Sequence, residues 1–550
     1  MMIKVIHAGA RLIALIVLIA LLNLSLSFHN LWPTPWITAR FEISVEAALI
    51  VLVLALLAWR GRRLSSGPAT VLAWLVLLMI AGRYADVTAP ALYGRPINLY
   101  WDSQHFPGVV AMLARVASWW QLTLAGLGIV LIIGGLIRGL RALLTGISIR
   151  LEPPVRHRSA LVASAALITL FGMGLAGQAT PMRHYFSHPV LLSFGTQVFR
   201  LYQAMSDQTR LDLQANPVLK PDLELIKNAN VLVMFIESYG VTTLDKPAHA
   251  QALLPARERL TKAITDSGRQ VVSTRVQSPT YGGGSWLAHS SFLSAYPITD
   301  QPTYQQLLAS QRETWVKSFA DRGYRTVGLL PGIRLAWPEG AYYGFDQIYD
   351  AQALAYTGPE FGWWRIPDQY SLAKAVALED KINSQTPVMM FFTTISSHAP
   401  FRPIAPYVEN WQTLADAPYA TESSLGQLDE LLAAKPDWSN LAPAYLDSVS
   451  YALTVLAGFL SEPKDREQIV IVIGDHQPAA SVTGPDASWA VPVHVIAPEP
   501  LLTQLSHNGF APGLTPVGPT TMAMHKLTNQ LLSAFSQTSV DIPRTVSDSQ

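Results

Sequence analysis

A glutamate, a serine and an aspartate–histidine pair stand along this chain where they could do chemistry together. The apolar run of VLVMFIESYG ends at Glu237, that of QIVIVIGDHQP ends at Asp475-His476, and YGGGSWLAHSSF carries Ser285 out of a triple-glycine turn into a helical pattern. Two carboxylates and an imidazole around a hydroxyl make the donor set of a one-metal phosphoryl-transfer centre, with three protein ligands and an open position. An oxygen-rich set with one imidazole suits either Zn2+ or Mn2+ as the single divalent metal. A free serine hydroxyl is a poor nucleophile, so Ser285 needs the activation that coordination supplies. Gly282, Gly283 and Gly284 allow close backbone approach, and a helix starting at Ser285 aims amides at phosphate oxygens. Each feature has a plainer reading: an acid at a strand end can cap a turn, and Ser285 can cap its helix. Thr280, Ser290 and Ser291 compete as hydroxyls, the last two from inside the helix. The recurrence of such groups at the ends of apolar runs favours the metal centre.

His398, in TTISSHAPF, is placed to contact phosphate or to protonate a leaving alkoxide; a structural histidine is the alternative. Arg334 and Trp337 in LLPGIRLAWPEG, with Trp363, Trp364, Arg365 and Asp368 in FGWWRIPDQY, form aromatic–basic clusters suited to substrate. Arginine matches phosphate geometry and tryptophan packs glycerol or sugar faces, although tryptophans beside prolines also build cores. His494, inside VPVHVIAP, reads as core.

The elements that must position these groups follow from periodicity. Runs at 230–236, 270–276, 325–330, 387–395, 468–474 and 492–497 read as strands, and 253–267, 285–295, 313–322, 369–383, 440–460 and 519–535 as helices. Runs apolar at every position mark strands covered on both faces. The expected domain, 228–537, is α/β with a doubly covered, mostly parallel central sheet, and in such sheets ligands gather beyond the carboxyl ends of the strands.

With 550 residues, 50% hydrophobic and 14% charged, and a mean hydropathy of +0.25, the chain is too apolar for an ordinary soluble enzyme. A net charge of +1 and no basic stripe argue against a nucleic-acid partner, and the absence of cysteine excludes disulfides and thiolate chemistry. Five segments reach spanning length, at about 11–28, 43–59, 68–84, 119–137 and 159–177, and give a transmembrane domain over 1–178. Lys4 and Arg11, then Arg60, Arg62 and Arg63, then Arg138, Arg141, Arg150, Arg156 and Arg158 mark the cytoplasmic side. Everything after about residue 180 is therefore expected outside the cytoplasm. A cleaved signal peptide at the first segment is the alternative, with the same outcome for the later domain. Segment 83–106 reads as an interfacial anchor, or else brings Arg83, Arg95 or Asp102 to a lipid headgroup. A juxtamembrane helical connector is expected at 179–227 and a disordered tail at 538–550.

On these motifs the chain resembles the membrane branch of the sulfatase-like, alkaline-phosphatase superfamily, and looks most like lipoteichoic-acid-synthase-type transferases. The resemblance covers the five spans, the connector and the whole domain from 228. VMFIESYG matches the family stretch whose glutamate binds metal, IGDHQP the later Asp-His, and SSHAPF the stretch whose histidine contacts substrate. It implies Glu237, Ser285, Asp475 and His476 as metal ligands, Ser285 as nucleophile and His398 as a substrate contact. The family nucleophile is usually threonine, so Ser285 departs from the pattern. SWLAH lacks the motif of formylglycine sulfatases, and the chain lacks the disulfides usual in lipid A phosphoethanolamine transferases. The implied activity moves a phosphoglycerol or phosphoethanolamine headgroup from a membrane phospholipid donor to a glycan or lipid acceptor, through a covalent Ser285 intermediate. The implied location is a bacterial cytoplasmic membrane, with the catalytic domain facing out (the periplasm in a Gram-negative cell). A hydrolase of the same superfamily and a non-catalytic lipid-binding regulator are the alternatives.

Overall fold

The computed structural model describes residues 2–537 apart from 32–33, 94–95, 104–105, 107–117, 178–183, 206–216, 336, 362–365, 383–384, 420–424, 435, 439, 485–486 and 521. It divides into two compact units, Met1–Thr209 and Arg210–Gln550.

The first unit is helical. Four of its helices are long and apolar enough to cross a membrane over Gly9–Ser27, Ser66–Leu92, Trp119–Arg150 and Pro154–Leu175, while Val45–Trp59 is apolar but shorter. Val45–Trp59 has 15 residues and begins late because Ser44 caps it, accepting from the Ala47 amide. At 1.5 Å per residue it rises roughly 22 Å, short of a ~30 Å hydrocarbon core. The expected segment at 68–84 is part of a longer helix, Ser66–Tyr93. The helix Val190–Met205, in the expected connector, packs on it: a Cβ at Gly82 would lie 2.7 Å from Val190 and Phe194 atoms. Arg83 is buried, with its guanidinium donating to the Phe28 carbonyl (2.9 Å) and the His188 carbonyl (3.3 Å). It therefore ties chain segments together within the unit. Arg95 lies outside the described residues.

The second unit is built on a nine-stranded sheet. Its strands are β1 (Asn230–Ile236), β2 (Gln270–Gln277), β3 (Arg325–Leu330), β4 (Gln347–Asp350), β5 (Val388–Thr393), β6 (Gln468–Gly474), β7 (Ala490–Ala497), β8 (Ala511–Pro512) and β9 (Met522–Ala523). They run in the order β8-β2-β7-β6-β1-β5-β3-β4, with β9 beside β2. β6, β1, β5, β3 and β4 are mutually parallel, whereas β7, β2 and β8 add antiparallel pairings on one side, so the sheet is mixed. All six expected strands are present; β4, β8 and β9 span only two to four residues and leave too little periodicity to read. The helix expected at 519–535 begins at Met524, because residues 522–523 pair as β9.

Strand side chains alternate between two cores. Leu232, Met234, Ile236, Val470 and Val472 face one, with helices Leu254–Asp266, Asp368–Ile382 and Ala442–Ser461. Val231, Val233, Phe235, Ile469, Ile471 and Ile473 face the other, with Ser285–Ser294, Trp315–Ala320 and Met524–Ala534. Helix Ala442–Ser461 passes the length and hydropathy test for a span, yet 72% of its window is buried inside this unit. Its apolarity serves the core.

Candidate active site

The parallel register decides where the carboxylates meet. Ile236 of β1 lies opposite Gly474 of β6, so the next residues, Glu237 and Asp475, leave adjacent strands at the same level. Gly474 is required there, because a Cβ would stand 1.8 Å from the Tyr239 carbonyl oxygen. On the other flank, Phe235 pairs with Thr393 of β5; the Thr394 hydroxyl accepts from the Glu237 amide (3.0 Å), and Ser397 Oγ donates to the Glu237 carbonyl (2.6 Å). Three neighbouring strand ends thus converge at the carboxyl edge of the sheet.

Ser285 arrives from the opposite direction. Gly282, Gly283 and Gly284 have φ of 65°, 142° and 78°, values open to glycine, and the chain then enters the helix at Ser285. The Gln477 carbonyl holds this turn to the histidine, accepting from the Gly282 amide (3.0 Å) and from His476 Nδ1 (2.7 Å). Ser285 Oγ donates to Glu237 Oε2 at 2.8 Å and lies 3.2 Å from His476 Nε2.

With Nδ1 protonated toward a carbonyl, His476 presents its Nε2 lone pair inward. That atom lies 3.3 Å from Glu237 Oε1 and 3.9 Å from Asp475 Oδ2. Asp475 Oδ1 accepts from the amides of Ser238 (2.7 Å) and His476 (2.6 Å), whereas buried Asp475 Oδ2 has no hydrogen-bond partner. Among the described residues, Glu237, Asp475 and His476 form the one group of this kind, with ligand atoms within 4.8 Å of one another. An orphaned carboxylate oxygen beside an imidazole nitrogen and a second carboxylate is a cluster with more acceptors than donors. A divalent cation fits it.

The three side chains shift one another's protonation. Burial opposes charge on His476, but Asp475 and Glu237 outweigh burial and raise it to about 9. Burial, then the Glu237 charge, push Asp475 well above the usual carboxylate range. Burial would raise Glu237 too, but the charge and hydrogen bond of His476 hold it below that range. Ser238, beside the site, adopts φ of 58°, a region sparsely used by residues other than glycine; its Oγ donates to Glu237 Oε1 at 3.1 Å.

His398 lies on the loop after β5, half-buried, with Nδ1 donating to the Ala399 carbonyl (2.7 Å), close enough for its charge to lower the Glu237 carboxyl. Asp368 needs correction as a substrate contact. It is fully buried, and its carboxylate accepts from the amides of Ile395 (2.8 Å) and Ser396 (3.1 Å), so it shapes the loop that carries His398. Arg334 and Trp337 follow β3 at the same sheet edge. Trp337 stacks on buried Tyr343 (5.8 Å between centroids), whose hydroxyl pairs with Ser290 of the Ser285 helix (2.8 Å). That makes Trp337 a packing residue, since its face is taken by another ring. Trp363, Trp364 and Arg365 lie outside the described residues. Ser290 and Ser291 are buried and bonded within the fold, to Tyr343 and the Ile298 carbonyl, and Thr280 Oγ1 donates to the Gly283 carbonyl. Of the four hydroxyls, that of Ser285 meets the acidic cluster. Ser238 and Gln477 were not foreseen, because nothing in their type or spacing marks a backbone contribution.

Residues 269–506 match the sulfatase family model, a stretch that holds Ser285, His398 and Asp475-His476 and leaves Glu237 outside. This part of the chain is sulfatase-like. No curated protein matched by sequence. Among solved structures, the chain is similar to the integral membrane protein lipooligosaccharide phosphoethanolamine transferase A of Neisseria meningitidis (14% identity, 90% of this chain, 88% of that chain, TM-score 0.45). It is also similar to the lipoteichoic acid synthase LtaP from Listeria monocytogenes (15% identity, 59% of this chain, 81% of that chain, TM-score 0.37). A third is the Streptococcus pyogenes phosphoglycerol transferase GacH in complex with sn-glycerol-1-phosphate (13% identity, 64% of this chain, 87% of that chain, TM-score 0.34).

Proposed function

We propose that this protein is a membrane phosphotransferase that moves a phosphoglycerol or phosphoethanolamine headgroup from a phospholipid to an envelope glycan or lipid through a phospho-Ser285 intermediate. The observation that carries it is the Ser285 hydroxyl held against Glu237 and His476, beside an orphaned Asp475 oxygen. Glu237, Asp475, His476 and Ser285 would hold one Zn2+ or Mn2+, which when bound lowers the serine pKa and balances phosphoryl charge. Glu237 Oε2, to which the Ser285 hydroxyl donates, takes that proton and orients the oxygen for attack on phosphorus. The new Oγ–P bond forms as the bond from phosphorus to the diacylglycerol oxygen breaks, and His398 supplies the proton that diacylglycerol takes away. In the second displacement an acceptor hydroxyl attacks the same phosphorus and returns its proton to His398, and the Ser285 oxygen leaves and recovers its proton from Glu237. Helices long and apolar enough to span a bilayer suit a donor that never leaves it. The reading includes a bacterial cytoplasmic membrane with the second unit outside the cytoplasm.

The test is intact mass and metal content of the full-length chain in nanodiscs of mixed phosphatidylglycerol and phosphatidylethanolamine. One metal and a serine adduct, lost in Ser285→Ala, are expected; the adduct mass names the headgroup. Diacylglycerol release with no adduct and no transfer would indicate the hydrolase. Neither metal nor adduct would overturn the enzyme and favour a lipid-binding regulator.

A further inference from the structure

Ser238 stands beside the reacting groups, yet the phosphoryl chemistry leaves its own part open. It follows Glu237 at the end of β1, is buried, and its φ of 58° lies in the left-handed region. A serine is strained there where a glycine would not be. The surroundings hold that conformation in place. Tyr445 O–H donates to the Ser238 carbonyl (2.8 Å), and so does the Gly240 amide (3.1 Å). The turn that follows has no slack, since a Cβ at Gly240 would stand 2.9 Å from the Gln477 Cα.

Held in this way, one residue aims two donors at two carboxylates. The Ser238 amide donates to Asp475 Oδ1 (2.7 Å), which also accepts from the His476 amide (2.6 Å), so Oδ2 is the oxygen of Asp475 left without a partner. The Ser238 hydroxyl donates to Glu237 Oε1 (3.1 Å). Ser238 thereby fixes the rotation of both carboxylates.

The two oxygens of Glu237 stand in different surroundings. Donors that share a tetrahedral ion at about 2.0–2.1 Å lie about 3.3 Å from one another. His476 Nε2 is 3.3 Å from Glu237 Oε1 and 3.2 Å from Ser285 Oγ, separations that suit ligands of one ion. Glu237 Oε2 instead accepts from Ser285 Oγ at 2.8 Å, a hydrogen-bond distance. A carboxylate free to turn can offer a cation one oxygen or both. The Ser238 hydroxyl on Oε1 opposes that turn.

Resting on the one-metal centre of the transferase reading, we propose that Ser238 is a positioning residue that divides Glu237 between two tasks, holding Oε1 on the cation side and Oε2 on the Ser285 hydroxyl. Without the Ser238 hydroxyl the carboxylate turns, both oxygens face the cation, and Ser285 loses its acceptor. Metal binding then survives while transfer suffers.

The experiment uses full-length protein in nanodiscs of phosphatidylglycerol and phosphatidylethanolamine, loaded with Co2+ as a probe of donor number. Four-coordinate Co2+ absorbs strongly in the visible, and the band weakens as further donors bring the ion closer to a centre of symmetry. Ser238→Gly removes the hydroxyl, relieves the strain and keeps the amide on Asp475; Ser238→Ala removes the hydroxyl and keeps the strain. In both variants Co2+ affinity should stay within about three-fold and the visible band should weaken, while kcat for diacylglycerol release falls about ten-fold with the donor KM kept. Band and kcat unchanged in both variants overturn the proposal. So does a change confined to Ser238→Ala, which would trace the effect to the backbone, and so does a parallel loss of Co2+ and activity, which would make Ser238 a support of the ligands alone. Unaltered protein that takes up no Co2+, or keeps it in His476→Ala, sinks the metal centre and this proposal with it. Co2+ held through His476 with a band that Ser238 does not move sinks only the role of Ser238.

Discussion

His476 and His494 are both about 1% exposed, stand on or just beyond neighbouring strands β6 and β7, and titrate in opposite directions. His494, paired in register with Val472, has both ring nitrogens satisfied. Nδ1 donates to Ser273 Oγ (2.6 Å), which donates to the Gly513 carbonyl (2.6 Å), and Tyr239 O–H donates to Nε2 (3.1 Å). Burial, helped by the charge of Arg257, lowers it to about 3 and keeps it neutral. His476 turns its Nε2 toward two carboxylates and a hydroxyl and is raised to about 9. Burial is common to both. What differs is whether the neighbours supply donors or leave acceptors facing one another, and only the second arrangement asks for a cation.

The largest break in this contrast is His476→Ala. Metal content after dialysis and headgroup transfer should each fall on the order of 10³-fold or more. Zn2+ at a hundred times its Kd should stabilise the unaltered protein by about 2.7 kcal/mol and the variant not at all, read as a shift in Tm. A metal-dependent Tm in the variant would remove His476 from the ligand set.

The second sharpens the contrast through pH. Cation binding must expel a proton from His476, raised to about 9 in the metal-free site. Metal affinity should therefore rise about ten-fold per pH unit up to about pH 9, and more steeply where Asp475 also loses a proton. Competition titrations with a chelator between pH 6 and 9 check this, and a flat profile contradicts it.

The third addresses His494. Its folded pKa, about 3, lies below the ordinary 6.5, so between those values the unfolded chain binds a proton that the folded chain refuses. Stability at this residue should fall on acidification by about 1.4 kcal/mol per pH unit within that window. His494→Gln should flatten that acid limb, cost about 1–2 kcal/mol at pH 7.5 and leave metal content unchanged. Denaturant titrations at pH 4.5 and 7.5 give both numbers, and loss of metal in this variant would erase the distinction between the two histidines.

The smallest effect is expected at Asp368, a buried carboxylate raised to about 6 by burial despite its amide donors. Asp368→Asn should lower kcat by about ten-fold through the His398 loop, with metal content and donor KM kept. A loss of metal instead would place its effect on the ligands.

Much of this was legible because strands buried on both faces must be apolar at every position. VLVMFI and IVIVIG announced themselves, and the polar residue ending each run stood out as a site candidate. Asp368 and Trp337 misled because composition cannot separate a side chain facing a cleft from one spent on backbone amides or stacked on a ring. The apolar helix Ala442–Ser461 makes the same point: hydropathy alone matches a membrane span, and packing makes it core.

The amino-acid order by itself determined that a membrane-length apolar region precedes an α/β domain, and that Glu237, Ser285 and Asp475-His476 end or begin its elements. Local periodicity and glycine content carry that information because they act over a few residues. Only the tertiary structure decided that Glu237 and Asp475 leave paired strands at one level, that Ser285 rather than Ser290 meets them, and that His494 is satisfied where His476 is not. Register and the directions of hydrogen bonds join residues far apart in the chain, 240 positions in the case of Ser273 with Gly513, and no local pattern encodes such pairings.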